Sequence, residues 1–312
     1  MVRRAIVLLH RWVGIAAAVF LIPAALTGSA LVWKVDLDRW LNPELHRVPD
    51  ATAPPLDRDT LLRSLKARYP GVRIAWLDPP ASPGGSSLMS VANWPTSDPG
   101  HRIDEVFVDA ATAAVLGARS TVNPGLNRAE AVHWIRRFHY TLMLKRTGMV
   151  LMGIVAIAWT IDCFGGALLT LPRVLRGWRK WRLAWLVKPT RLNFDLHRAG
   201  GLWLWPVLFV LALSSVYLNL AHEVFVPVAT WLTHLLFPEH LHAPVGDALL
   251  EWQYPLHTGE AFGLTGRIVV FLSGFAITAL AVTGIVTTVR KLRPRRPATC
   301  ASMSSSLTEP LP

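Results

Sequence analysis

Charge is scarce in this 312-residue chain: Asp, Glu, Lys and Arg make up only 17% of it, against 52% hydrophobic residues. With a mean hydropathy of +0.36, that balance excludes an ordinary soluble domain and reads as a membrane protein. Cysteine is scarcer still. The two present, Cys163 inside an apolar run and Cys300 in the tail, cannot staple an exported domain. The absence of any Cys-x-x-Cys-His excludes covalently attached c-type haem. The absence of Gly-x-Gly-x-x-Gly leaves no dinucleotide fingerprint, and no flavin domain is evident, so any electron donor must be another molecule. Finally, residues 221–256 contain no Lys or Arg at all, while Glu223, Glu239, Asp247 and Glu251 are acidic.

Long apolar runs are what the chain does have. A bilayer core of ~30 Å needs about 20 apolar residues as helix, and Val13–Trp33, Met149–Leu171, Gly200–Leu220 and Ile268–Val289 qualify. The formal charge of +12 suggests nucleic acid only if it lies on a soluble face. Here it flanks the spans instead: Arg3, Arg4 and Arg11 before the first, seven Lys and Arg residues between 172 and 191, and five after Val289. Topology explains this pattern, so no nucleic-acid partner is expected; membrane lipid is the surrounding medium. The positive-inside rule predicts a multi-pass protein with both termini and the 172–197 loop cytoplasmic, the other connections facing outward. Met1–Ala30 has the basic start of a signal peptide. Its apolar part is longer than a typical h-region and lacks a small-x-small site before Trp33, so it reads as an uncleaved span.

The expected organisation is therefore an all-α membrane bundle of four transmembrane helices with a small α+β domain inserted between helices 1 and 2. Its segments are 1–33 (N-terminus and first span), 34–131 (outer domain), 132–171 (second span with an outer extension), 172–197 (basic loop), 198–220 (third span), 221–256 (acidic loop), 257–289 (fourth span) and 290–312 (basic tail, disordered after Arg296). Within the inserted domain, Asp57–Tyr69 has helical spacing behind an Asp. Val72–Leu77, Leu88–Ala92, Glu105–Val108 and Ala114–Gly117 read as strands, predicting a helix packed on a small antiparallel sheet.

The chain also repeats itself. Leu196-His197-Arg198 opens the third span as Leu9-His10-Arg11 opens the first, with Gly14 on Gly201. Between the second and fourth spans, His139 aligns with His257, Thr147-Gly148 with Thr265-Gly266, Gly166 with Gly284 and Thr170 with Thr288. Two hairpins of the same orientation imply an approximate two-fold axis along the membrane normal. That axis pairs His10 with His197 near one membrane face and His139 with His257 near the other. Each face then offers two imidazoles rather than the four close ligands of structural zinc, and two axial nitrogens on facing helices suit a six-coordinate b-type haem in a four-helix bundle. The expected cofactors are two haem b groups with bis-His ligation. Arg11, Arg198, Arg136, Arg137, Lys145, Arg146 and Arg267 are candidate propionate partners, Arg11 and Arg198 first. A continuous second helix from Glu130 would hold His139 about 15 Å above Met149, at or beyond the lipid headgroups.

Other residues carry weaker readings. His222, His234, His240 and His242 lie in the cation-free segment and read as a metal or chelate contact or as a solvated loop, with His240-x-His242 the best pair. His133 is an alternative to His139. Asp162, inside an apolar run, reads as a proton relay or as a hydrogen bond to a neighbouring helix. Most of the 14 tryptophans cluster at span ends as an interfacial belt.

The stretches LHRWVGIAAAVFLIPAALTG, FHYTLMLKRTGMVLMGIVAIA, DLHRAGGLWLWPVLFVLAL and PLHTGEAFGLTGRIVVFLSGFAITALAVTG resemble the PepSY-associated transmembrane proteins, iron-regulated membrane proteins that include ferrisiderophore reductases. The stretch VFVDAATAAVLG resembles a PepSY module. The resemblance reaches to about residue 292; it departs at Ile161-Asp162-Cys163-Phe164, where the family has small residues, and at Ser214-Ser215. It implies a bacterial inner-membrane di-haem b oxidoreductase that takes electrons from a cytoplasmic or quinol donor and reduces a ferric siderophore or other ferric chelate outside, releasing Fe(II). His10, His139, His197 and His257 would be its haem ligands. The alternative is a haem-free PepSY membrane anchor or sensor that binds an outer partner. A small transporter is disfavoured because Pro23 and Pro206 are not equivalent in the repeat, so no paired helix breaks mark a midplane site.

Overall fold

The computed structural model describes residues 1–80, 82, 84–98, 100–174, 189–236 and 250–292. The described chain is mostly helical, with four helices long and apolar enough to cross a membrane, and one small antiparallel sheet. The first, α1 (Val2–Val32), is 31 residues long, about 46 Å at 1.5 Å per residue. It begins well before the apolar run, because nothing in Val2–Arg11 breaks a helix.

After α1 the chain leaves the bundle through α2 (Lys34–Leu41) and α3 (Pro43–His46). Next comes α4 (Arg58–Arg68), whose start is set by Asp57: its carboxylate accepts from the backbone N–H groups of Asp59 and Thr60. The strands are β1 (Arg73–Leu77), β2 (Ser87–Ala92), β3 (Glu105–Val108) and β4 (Val115–Arg119), antiparallel in the order β1-β2-β3-β4. Ends differ from the expected ones by a residue or two. β4 runs on to Arg119 because it pairs with β3 through Glu105 opposite Arg119. Leu61 and Leu65 of α4 close one face over Leu77, Met89, Val91, Val106 and Val108. Leu65, Met89, Val106 and Val108 are completely buried, each contributing about 1.5–3 kcal/mol of apolar transfer.

A buried polar network ties this domain to the bundle. Arg119, 4% exposed, donates from Nη1 to both carboxylate oxygens of Asp38 on α2 (2.8 and 2.9 Å) and from Nε to Glu105 (2.8 Å). His46 adds a bond to Asp38 at 2.9 Å. Burial pushes the Asp38 carboxyl up, but the bond from His46, the Arg119 charge and the Asn42 amide outweigh it and hold the group at about 2.

The chain returns to the bundle by α5 (Ala131–Thr141) and α6 (Lys145–Val174). The expected continuous second helix is in fact two: Leu142, Met143 and Lys145 all take positive φ, and α5 ends at a left-handed Leu142. α7 (Pro189–Trp203) and α8 (Trp205–Leu220) follow. Helix thus already covers residues 189–197, which the sequence reading assigned to a loop. The acidic 221–256 segment is also largely helical where described. A π turn at Ala221–Phe225 leads into α9 (Val226–Leu236). The π turn absorbs Pro227, which cannot donate a backbone hydrogen bond. The last elements are α10 (Gln253–Thr258) and α11 (Gly263–Leu292), separated by Gly259 at φ +80 and a short 3-10 turn.

Asp38 contributes to stability above its unfolded value near 3.8, and that contribution is lost as pH falls through about 2. Arg119→Met removes the cation from this buried pair and should cost about 3–5 kcal/mol. It should also move the acid unfolding midpoint of the detergent-solubilised chain, followed by tryptophan fluorescence, to higher pH. An unchanged midpoint would show that the pair is not structural.

Candidate functional site

Both expected histidine couples meet in the fold. On α1 and α7, the His10 and His197 ring centroids lie 6.0 Å apart, tilted 51°. On α5 and α10, those of His139 and His257 lie 6.3 Å apart, tilted 59°. His133 does not take this place: it faces Glu105 at 3.7 Å within the polar network. Burial, and then the Arg119 charge, pull its imidazole below the ordinary value.

The break between α5 and α6 is what brings His139 in. Its ring lies against α1, so the 15 Å outward projection expected from a continuous helix does not occur. Thr141, at the end of α5, sets its carbonyl against Gly148 on α6, where any Cβ would overlap it. The fourth span repeats the arrangement: the Gly259 carbonyl abuts Gly266. The repeated Thr-Gly of the sequence is therefore a close backbone approach that folds each outer histidine back over its own span. Glycine also seats the rings themselves. A Cβ on Gly28 would lie 3.0 Å from His139 Cε1, and one on Gly284 2.9 Å from His197 Cε1.

Each imidazole uses its Nδ1 on a neighbouring helix. His139 Nδ1 is 2.9 Å from the Ala24 carbonyl and 3.1 Å from the Thr27 hydroxyl. His257 Nδ1 is 3.0 Å from the Ser214 hydroxyl, whose own proton goes to the Val210 carbonyl at 2.7 Å, so the hydroxyl accepts from the ring. His197 Nδ1 is 2.9 Å from the Leu280 carbonyl and 3.2 Å from the Thr283 hydroxyl. His10 Nδ1 is 2.9 Å from an Asp162 carboxylate oxygen. Carbonyls and carboxylates only accept, so each Nδ1 carries the proton and each Nε2 keeps its lone pair for a ligand. The repeat persists at this level: Thr27 aligns with Ser214 in the register that aligns His10 with His197. The hydrogen bond from Asp162 to a neighbouring helix, one of the two roles its place in an apolar run suggests, is made to His10. The contact of Ser214 with His257 is one that the sequence reading missed, because nothing in the order of residues marks which hydroxyl an imidazole on another helix will meet.

Two imidazole–metal bonds of about 2 Å, with roughly 1 Å from nitrogen to ring centre on each side, set axial ligands of one iron about 6 Å apart centre to centre. Both couples match that separation. Among the described residues no group of three or more His, Cys, Asp or Glu that could hold a metal ion is found; each couple presents two imidazoles. A cavity of about 540 Å³ opens at the His10–His197 couple, lined by Trp159, Asp162, Gly166, Gly201 and Trp205, with Arg3, Arg11, Arg198 and Lys291 among its basic residues. Arg198 is held by Asp195 at 3.2 Å.

The other candidate cations are used differently. Arg267 bonds the Val32 carbonyl (2.8 Å) and Asp36 (3.3 Å) and lies 4.3 Å over the Trp33 ring. Arg146 pairs with Glu223, and Arg137 donates to the Val122 carbonyl. Arg136 and Lys145 are exposed. His222 is exposed and His234 half-buried on the continuing helix, while His240 and His242 lie outside the described residues.

The glycine contacts make a contrast. Gly148→Ala drives a methyl into the Thr141 carbonyl and should cost about 1–3 kcal/mol. Gly71, in a turn of the inserted domain with open space around its Cβ position and no positive φ, should gain roughly 0.4–1 kcal/mol as Ala. Thermal unfolding of the two detergent-solubilised variants should bracket the wild type; equal midpoints would mean the α5–α6 turn is not tightly packed.

Compared with curated proteins, the sequence has no match. The family model described as the PepSY-associated TM region matches residues 7–243 and 238–291, nearly the whole chain. The chain belongs to the PepSY-associated transmembrane family.

Proposed function

We propose that this protein is a di-haem b oxidoreductase of the bacterial inner membrane that passes electrons outward to reduce a ferric siderophore or similar ferric chelate. One observation carries the reading: four histidines, in two couples about 6 Å apart, each with Nδ1 committed to a helix and Nε2 left for iron. When bound, b-type haem supplies a one-electron carrier at each couple. His10 with His197, and His139 with His257, would be the axial ligands.

The protein's part is to hold and orient. Carbonyls at His139 and His197, the Asp162 carboxylate at His10 and the Ser214 hydroxyl at His257 fix the imidazole tautomers, and the glycine seats fix ring position. Arg11 and Arg198, beside the first couple and lining its cavity, are placed to meet propionates. Apolar walls, including the cluster of Ala25, Leu208, Leu211, Ala212 and Ile277, keep water from the interior between the couples. In the positive-inside orientation, with Met1 and the basic loop cytoplasmic, the couple at His139 and His257 lies toward the inserted PepSY-like domain, where an outer chelate would arrive. Outward electron movement then follows the membrane potential, worth ~2.3 kcal/mol per charge per 100 mV. Reduction to Fe(II) weakens hard oxygen ligation and releases the metal. The donor, cytoplasmic or quinol, is a separate molecule.

Full-length protein purified from haem-replete cells should show a sharp low-spin b-type spectrum on reduction, with two haems per chain. His10→Ala should lose one haem and His257→Ala the other, with folding intact by circular dichroism. The reduced protein should be reoxidised by ferric chelate. A colourless preparation would favour the anchor or sensor reading, and loss of both haems from either single change would break the pairing of each couple.

A further inference from the structure

The four Nδ1 hydrogen bonds differ in one respect that the repeat makes visible. Three histidines bond neutral groups: His139 the Ala24 carbonyl and Thr27 hydroxyl, His257 the Ser214 hydroxyl, and His197 the Leu280 carbonyl and Thr283 hydroxyl. His10 alone bonds a carboxylate, Asp162 Oδ1 at 2.9 Å. In the register that aligns His139 with His257 and Gly166 with Gly284, Asp162 stands where the second hairpin has Leu280. Where the second hairpin uses a backbone carbonyl and a hydroxyl, the first substitutes a charge. Its side chain is 12% exposed, in a membrane-spanning helix where a charged residue is costly and persists for a reason.

We infer that Asp162 is a positioning residue that lowers the reduction potential of the haem at the His10–His197 couple below that of the haem at the His139–His257 couple, biasing transfer toward the end that carries the sheet. The inference rests on the haem reading above. The physical cause is direct. A carboxylate accepting the Nδ1 proton pushes electron density onto Nε2, and a more basic axial nitrogen favours Fe(III) over Fe(II). Both partners of the other couple are neutral acceptors, which give far less of this push. Opposing cations line the same cavity: Arg3, Arg11, Arg198 and Lys291. Arg3 and Lys291 are exposed and Arg11 partly so, which leaves them to solvent screening. Arg198 is already paired with Asp195. Asp162, only 12% exposed, acts through a hydrogen bond to the ligand itself and outweighs them.

The test is a potentiometric titration of the purified full-length protein, read from the reduced b-type bands, for wild type, Asp162→Asn and Asp162→Glu. His257→Ala, which keeps only the haem at His10 and His197, assigns the components. Asp162→Asn retains a hydrogen-bond acceptor but not the charge. It should shift the reduction equilibrium of the lower-potential component at least tenfold toward the ferrous form, an upward move of 59 mV for one electron, and leave the other component in place. Asp162→Glu should stay within that tenfold window. If both haems bind but the lower component does not move in Asp162→Asn, or the component of the other couple moves instead, the inference fails while the di-haem reading stands. If Asp162→Asn loses the lower component altogether, Asp162→Glu decides: an unmoved component supports the role of the charge, and its loss or upward shift overturns it. A wild-type protein without haem fails the function reading itself.

Discussion

Everything about the bundle's interior depends on a hydrogen bond from an imidazole Nδ1 to a neighbouring helix. A histidine at a helix end is free to rotate and to exchange its proton between two nitrogens. Bonded to a carbonyl that cannot donate, it has one tautomer and one orientation. Ala24 and Leu280 supply such carbonyls to His139 and His197, and Thr27, Ser214 and Thr283 add hydroxyls. The glycines at 28 and 284 keep the helix surface low enough for the rings to reach. Remove any of these and the rings lose their fixed separation, on which any shared ligand would rely.

The sheet domain serves that same geometry from outside the bundle. The base of α5 is pinned by Glu130, 2% exposed, whose carboxylate accepts from the backbone N–H groups of Ser120 and Gly125 and bonds His101. About one turn on, His133 faces the Glu105 and Arg119 network of the sheet. α5 is thus anchored at its start by the inserted domain and at its end by the Thr141–Gly148 contact with α6. His139 lies between two fixed points, although its helix has only 11 residues and would be marginal alone.

Much of this was legible in the order of residues. Hydropathy marks four spans because a bilayer tolerates only helix with satisfied backbone groups. The short apolar runs and the capping Asp57 mark the inserted domain's elements within a residue or two. The repeat tells which histidines pair, since symmetry carries that information without any contact being known. The break at Leu142–Leu144 was not legible. None of those residues is a glycine or proline, and Leu142 and Met143 adopt positive φ only because the Gly148 contact and the anchored α5 demand it. The helical continuation through Ala221–Leu236 was obscured in the same way, because Pro227 signals an end that a π turn avoids.

A membrane chain with two homologous hairpins and four histidines in matched register can be read from the residues alone, because composition and repetition are properties of their order. What those histidines touch emerges with folding. Hydrogen-bond partners such as Asp162, Ser214 and the Ala24 carbonyl lie on other helices, and a carbonyl belongs to every residue alike, so no pattern of side chains announces which one an imidazole will meet.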